Sequence, residues 1–409
     1  MVFEPKTAPS NAGGDQIRVM VVDDSAIIRG LIKRILQEDP EVVVVASAHN
    51  GEIALRELKR VPVDVVVLDI EMPVMDGLQA LPEMIKMDPD LKVVMASTLT
   101  AKNAEISMKA LELGAADYVP KPENNREITS GSTFREEILM KVKSLGSFRR
   151  QKLSRSASPA RKFTSEASNK TPTVSKFRQG AETKEPRPKP AAVPVIATPM
   201  FLPTGQVILR KPGIMKPDII AIGSSTGGPQ ALFTMLESLD KNIGVPVVLT
   251  QHMPPTFTKI LAQHIERSTG WKCKEGEEGE ALASGQLYLA PGGYHMTIVQ
   301  KGTERMISLN QDPPENFCRP AVDPMLRSLV KIYGARIIAV ILTGMGLDGM
   351  KGCEQVVAAG GTVVAQDQQT SVVWGMPGAV ATTGLCSAVL PLNKIGPHVS
   401  EFMKKVVRK

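Results

Sequence analysis

Hydrophobic and polar positions fall into two alternating stretches separated by a long interruption. Short apolar runs at 18–22, 42–46, 63–68, 93–96 and 117–119 have the length of buried strands, and amphipathic stretches of helix length, such as 26–38, 53–60 and 103–113, lie between them. Strand and helix in alternation predict a parallel sheet, because each crossover needs an element long enough to bring the chain back to the same end of the sheet. A second alternation begins near residue 217, with apolar runs at 218–222, 245–250, 286–289, 337–342 and 362–365. Residues 147–216 show neither period. They are rich in Ser, Thr, Pro and Ala (SRSASPARK, KEPRPKPAAVPV) and read as a flexible, part-polyproline linker. The expected division is a tail at 1–16, an α/β domain at 17–146, the linker at 147–216 and a second α/β domain at 217–409.

Charge alters this picture only once it is located. The chain of 409 residues carries +7 overall with a pI near 9.1, which by itself suggests nucleic acid. Residues 147–217, however, hold 15 Lys and Arg against 3 Glu, a net of +12, so the remainder carries −5. The folded parts are mildly acidic, and the second α/β stretch has no basic recognition helix, which argues against a nucleic-acid partner. The basic segment reads as a solvated spacer, with an acidic partner or membrane surface as the sharper alternative. Four cysteines without C-x-x-C spacing point to reduced thiols and no zinc. No signal-like core and no apolar run approaching ~18 residues occurs, so a cytoplasmic protein not embedded in a membrane is expected.

In a parallel sheet, polar residues just past the strands gather at one edge. In the first domain these are Asp23 and Asp24 after the first run, Asp69 after the third, Ser97 and Thr98 after the fourth, and Lys121 after the fifth. Three clustered carboxylates repel one another and suit a hard divalent cation such as Mg²⁺. Taken singly each has a blander reading; Asp24, for example, can cap the helix that starts at Ala26. The stretches VVDDS (21–25), LDIEMPVMDG (68–77), MAST (95–98) and YVPKP (118–122) together resemble the receiver domain of bacterial response regulators. That resemblance implies a flavodoxin-like (βα)5 fold, Asp69 as phosphoacceptor, and Mg²⁺ held by Asp23, Asp24, Asp69 and the Glu71 carbonyl. It also implies Ser97 as switch hydroxyl, Tyr118 as switch aromatic and Lys121 as phosphate contact.

In the second domain the first run enters a glycine-dense turn, Gly223-Ser-Ser225-Thr226-Gly227-Gly228, before a helix with Pro229 in its first turn. A serine there stands beside unpaired helical N–H groups, where an oxyanion can form and be stabilised. A phosphate-binding or structural turn is the plainer reading. His252 follows the next run, and Asp348 follows the run at 337–342 through glycine turns; alone, the first is a loop residue and the second a helix cap. Three strand ends each presenting one member of a Ser, His, Asp set favour a triad, with Thr226, Gly227, Gly228 and Met345 as oxyanion donors and His295 as reserve base. These stretches, GSSTGG (223–228), TQHMPP (250–255), APGGYHM (290–296), RPAVD (319–323) and LTGMGLDG (342–349), resemble the CheB-type chemotaxis protein-glutamate methylesterases. The resemblance implies a doubly wound, mostly parallel α/β/α catalytic domain needing no cofactor. It also implies hydrolysis of glutamate methyl esters and deamidation of glutamines on methyl-accepting chemoreceptors, with a CheA-type histidine kinase as phosphodonor. Cys318 departs from the pattern, standing where a histidine is expected. A phosphorylation-controlled binding module is the competing reading of the same turn.

Overall fold

The computed structural model describes residues 16–98, 100–122, 132–157 and 205–405. In the N-terminal domain, β1 (Ile17–Val22), β2 (Val42–Ala48), β3 (Val65–Asp69), β4 (Lys92–Ser97) and β5 (Asp117–Pro120) form a parallel sheet in the order β2-β1-β3-β4-β5. Its central strand, VVVLD, is buried throughout, as a strand covered by helices on both faces must be. The helices are α1 (Ala26–Gln37), α2 (Gly51–Leu58), α3 (Gly77–Met87), α4 (Ala101–Glu112) and α5 (Ser132–Ala157). Ser25, not Asp24, caps α1 by accepting from the Ile28 N–H, so the Asp24 carboxylate is not committed to a cap. Helix α3 starts at a capping box between Asp76 and Gln79.

Helix α5 runs on past residue 146, into what composition marks as linker. Phe148 is buried there, and Arg149 pairs with Asp88 at 2.6 Å while Lys152 pairs with Asp90 at 2.6 Å. Basic residues of that stretch therefore meet acidic loops of the same domain, which a count of charge along the chain does not reveal. Residues 158–204 of the expected linker lie outside the described residues. From Gly205 the chain runs along the second domain, where Arg210 N–H donates to Cys386 O at 2.9 Å and Gly213 N–H to Thr362 Oγ1 at 3.0 Å.

The C-terminal domain has a seven-stranded sheet of β6 (Ile219–Ser224), β7 (Val247–Gln251), β8 (Lys272–Glu275), β9 (Gln286–Leu289), β12 (Ile337–Ile341), β13 (Thr362–Gln366) and β14 (Ala388–Leu390). All its pairings are parallel, in the order β14-β13-β12-β6-β7-β9-β8. A hairpin of β10 (His295–Lys301) and β11 (Glu304–Asn310) stands apart. The helices are α6 (Gly228–Ser238), α7 (Phe257–Thr269), α8 (Val322–Tyr333), α9 (Met350–Ala358), α10 (Met376–Thr382) and α11 (Leu392–Lys405). The chain leaves β6 toward β7 on one side and returns to β12 on the other, so strand order reverses at β6, where α/β sheets leave a crevice at their carboxyl ends.

The two domains pack against each other around that crevice. Tyr118 of β5 stacks on Phe257 at the start of α7, with ring centroids 4.4 Å apart and planes 6° from parallel. The Thr226 hydroxyl donates to Asp117 Oδ2 at 2.6 Å, and Gln230 donates to the carbonyls of Leu111 and Ala115 at the end of α4.

Candidate active site and phosphoacceptor site

Three neighbouring strands, β12, β6 and β7, deliver Asp348, Ser225 and His252 to the same edge. Ser225 leaves β6 in a turn pinned on both sides: its N–H donates to Thr343 O at 3.1 Å, and its carbonyl accepts from Gln251 Nε2 at 2.9 Å. The turn admits only glycine at its closest approaches. A Cβ on Gly228 would stand 2.0 Å from Gln251 Oε1, and one on Gly344 would stand 2.9 Å from Ser225 Cβ. Gly227 has φ +73°, in the left-handed region that glycine occupies without strain.

Asp348 is buried and held by a dense set of donors. Its Oδ2 accepts from Val322 N–H at 2.6 Å and lies 2.7 Å from His252 Nε2; its Oδ1 accepts from Asp323 N–H, Gly349 N–H and the Asn316 amide at 3.1, 3.0 and 3.1 Å. Two of these N–H groups belong to the first turn of α8, whose dipole favours negative charge. Burial alone would raise this carboxyl. The hydrogen bond and charge of His252, with the α8 N–H groups, outweigh it and hold Asp348 below its ordinary value.

Around His252, burial opposes protonation, while Cys318 and Asp348 favour it more strongly, and the imidazole is pushed up to about 10. Asp348 takes Nε2, so Nδ1 is the nitrogen left for a substrate-side proton; it faces Cys318 Sγ at 3.3 Å. Among the described residues no hydrogen bond joins the Ser225 hydroxyl to this ring, so serine and histidine share an edge without the direct contact that a working triad makes. Asp323, pushed up to about 6 by burial and by Asp348, supports the site from behind, accepting from Gly352 N–H at 2.7 Å.

The oxyanion candidates separate. Gly228 N–H donates to Ser225 O at 2.7 Å and is thereby occupied, while Thr226 and Gly227 sit at the mouth of α6. Met345 lies under the N-terminal domain, its sulfur accepting from the Ser144 hydroxyl at 2.7 Å. His295 is buried as structural support: its Nδ1 accepts from Ala321 N–H at 3.2 Å and its Nε2 lies 3.2 Å from Pro313 O, which leaves no nitrogen for substrate. Sequence reading assigns no role to Gln251, Asn316, Thr343 or Asp323; Gln251 and Thr343 stand at strand ends, the one local signal they carry, while Asp323 lies in the first turn of α8 and Asn316 in the loop before it.

The second cluster is in the N-terminal domain. Lys121 Nζ lies 2.7 Å from Asp23 Oδ2 and 2.6 Å from Asp69 Oδ1. Oxygens of Asp23, Asp24 and Asp69 come within 4.8 Å of one another. Burial above all, and the neighbouring Asp23 charge, push Asp69 up to about 6 against the pull of Lys121. Asp23 Oδ2 is buried and accepts no geometrically sound hydrogen bond even with the ammonium close by, so an all-oxygen set with an unsatisfied buried oxygen fits a hard divalent cation. Ser97 bonds Ser107 at 3.1 Å, and Tyr118, the expected switch aromatic, is buried in the domain interface. The Glu71 carboxylate points away to Lys102 at 3.3 Å, which is compatible with a ligand role only for its carbonyl.

Residues 19–131 match the response regulator receiver domain, and residues 220–399 match the CheB methylesterase family. The chain is 52% identical to protein-glutamate methylesterase/protein-glutamine glutaminase 1 of Paramagnetospirillum magneticum, over 95% of this chain and 96% of that one. It is 53% identical to the enzyme of that name from the group 2 operon of Rhodospirillum centenum, over 96% and 95% of the two chains. The crystal structure of the Thermotoga maritima CheB methylesterase catalytic domain is 43% identical, covering 45% of this chain and 98% of that one at a TM-score of 0.44.

Proposed function

Because the chain belongs to the protein-glutamate methylesterase/protein-glutamine glutaminase family, with a receiver domain ahead of the catalytic one, we propose that it demethylates and deamidates chemoreceptors through Ser225, His252 and Asp348. The observation that carries this reading is the His252–Asp348 pair at the same sheet edge as a serine in a turn whose closest approaches admit only glycine.

Ser225 Oγ attacks the side-chain carbonyl carbon of the receptor glutamate ester while His252 Nδ1 takes its proton. The same nitrogen returns that proton to the departing methanol, or to ammonia from a glutamine. Water then attacks the acyl-serine by the reverse relay. Asp348 keeps the Nε2 proton facing itself, so that Nδ1 presents its lone pair, and it stabilises the imidazolium that forms. N–H groups of Thr226 and Gly227 are the oxyanion donors; losing one good donor typically costs ~10²- to 10³-fold in rate. The leaving group is small, so recognition rests on the receptor's helical surface and not on a deep pocket.

Control comes from the receiver. Asp69 accepts a phosphoryl group from a CheA-type histidine kinase, with Lys121 and Ser97 contacting its oxygens; Asp23, Asp24, Asp69 and the Glu71 carbonyl would hold a Mg²⁺, which would supply charge neutralisation there. Unphosphorylated, the receiver lies on the active-site edge: Asp117 grips Thr226, next to the nucleophile, and Tyr118 stacks on Phe257. Phosphorylation loosens that contact and lets Ser225 and His252 meet. No described helix is long and apolar enough to cross a membrane, and the enzyme works from the cytoplasm on the cytoplasmic parts of its receptors.

The test is methanol release from methylated receptor membranes by the parent protein and Ser225→Ala. Turnover falls to background in the variant while receptor binding persists; a variant that releases methanol at the parent rate rules Ser225 out as the nucleophile, and a parent that releases none rules out the esterase reading. A phosphodonor accelerates the parent and not Asp69→Ala.

A further inference from the structure

We propose that Cys318 is a positioning residue for His252, its thiol holding the ring nitrogen that Asp348 leaves over, so that Ser225 must displace it before proton transfer. The inference rests on the assignment of His252 as base and extends it.

An imidazole has two nitrogens, and which one acts is set by what the other holds. Asp348 Oδ2 stands 2.7 Å from Nε2 and Cys318 Sγ stands 3.3 Å from Nδ1. The ring is thus held between two acids, one from the loop after β12 and one from the loop ahead of α8. Asp323 and Arg327, both on α8, are the further charged groups here, and each interacts with Asp348. The Cys318 loop is itself built for placement: Glu315 and Cys318 exchange backbone hydrogen bonds at 3.1 and 2.9 Å, and the Asn316 amide ties the same loop to Asp348 and Asp323. Asn316 and Phe317 adopt φ values of +51° and +63°, a left-handed pair that non-glycine residues enter only when surroundings impose it. The result fixes Sγ at Nδ1.

Two consequences follow. Cys318 adds to Asp348 in favouring the imidazolium, so the base loses its proton at higher pH than Asp348 alone would require. A thiol paired with imidazole and partly exposed also reacts with electrophiles far faster than a buried one. The other cysteines are buried, and burial pushes their thiols up, Cys386 to about 12 and Cys273 and Cys353 well above the ordinary range. With iodoacetamide, the Cys318 sulfur forms the S–C bond as the C–I bond breaks and iodide departs; the thiol proton passes to His252 or to water.

The experiment uses the full chain. Mass spectrometry of the parent protein at neutral pH, with limiting iodoacetamide, finds the first adduct on Cys318, and His252→Gln slows that adduct at least tenfold. This readout needs no turnover, so it stands or falls apart from the esterase assignment. In parallel, the rising limb of methanol release against pH moves to lower pH in Cys318→Ala, with Cys318→Ser between the two. The proposal is overturned by a Cys318 adduct that forms equally fast in His252→Gln, or by limbs that superimpose in the parent and Cys318→Ala.

Discussion

Asp348→Asn tests how the base is prepared, because the change is nearly isosteric and its consequences can be worked out bond by bond. The carboxylate accepts five hydrogen bonds: Oδ1 from Asp323 N–H, Gly349 N–H and the Asn316 amide, and Oδ2 from Val322 N–H and His252 Nε2. An amide has one oxygen to offer. Placed at Oδ1 it keeps three donors, and its NH₂ then stands at the Oδ2 position, against Val322 N–H and pointing at Nε2. That NH₂ can only donate, so Nε2 becomes an acceptor and the ring proton moves to Nδ1, the nitrogen that must accept from Ser225. The expected cost is about 10⁴-fold in kcat, the size of loss that an enforced wrong tautomer produces in Ser-His-Asp hydrolases. Stability falls by about 1–3 kcal/mol for the orphaned Val322 N–H. Removing the anion from the mouth of α8 adds about 0.3–1 kcal/mol. Methanol release under phosphodonor gives the first quantity and urea unfolding the second. A variant within tenfold of the parent kcat, while folded, would refute the claim that Asp348 fixes the tautomer.

Other consequences are as direct. Gln230→Ala removes two hydrogen bonds to the receiver carbonyls of Leu111 and Ala115, worth about 0.5–1.5 kcal/mol each, so basal esterase activity without phosphodonor should rise several-fold; an unchanged basal rate counts against receiver occlusion. Gly344→Ala places a methyl group 2.9 Å from Ser225 Cβ and 2.4 Å from Met376 Sδ, and kcat should fall at least tenfold with a small change in Tm; retention of full activity would mean that the Ser225 turn yields freely. Because His252 is raised in the folded state, its contribution to stability is complete below the unfolded value of roughly 6.5 and is lost as pH climbs toward about 10. The Tm of the parent should therefore fall toward that of His252→Gln over this window, and a constant difference between the two would contradict the raised affinity.

Apolar run lengths and helix-sized gaps are local properties, and they were enough to locate the main strands of both sheets and the residues just past each one. Ser225, His252, Asp348, Asp69 and Lys121 were legible for that reason, since a parallel sheet puts every strand's carboxyl end at one edge. Short or edge elements were not: β8, β14 and the β10–β11 hairpin carry mixed polar patterns that resemble loops. The boundary expected at 146 falls inside helix α5, whose basic residues look solvated until Asp88 and Asp90, far away in the chain, are seen to face them.

Which residues end strands was thus written in the amino-acid order alone, because burial of a strand demands a run of apolar side chains whatever surrounds it. Which nitrogen of His252 meets Asp348, that Cys318 meets the other, and that Asp117 of one domain grips the residue beside Ser225 of the next were decided only by the tertiary structure. Those contacts join loops separated by tens or a hundred positions, and their hydrogen bonds depend on distances of a few ångströms that only the packed sheet and the docked domains set.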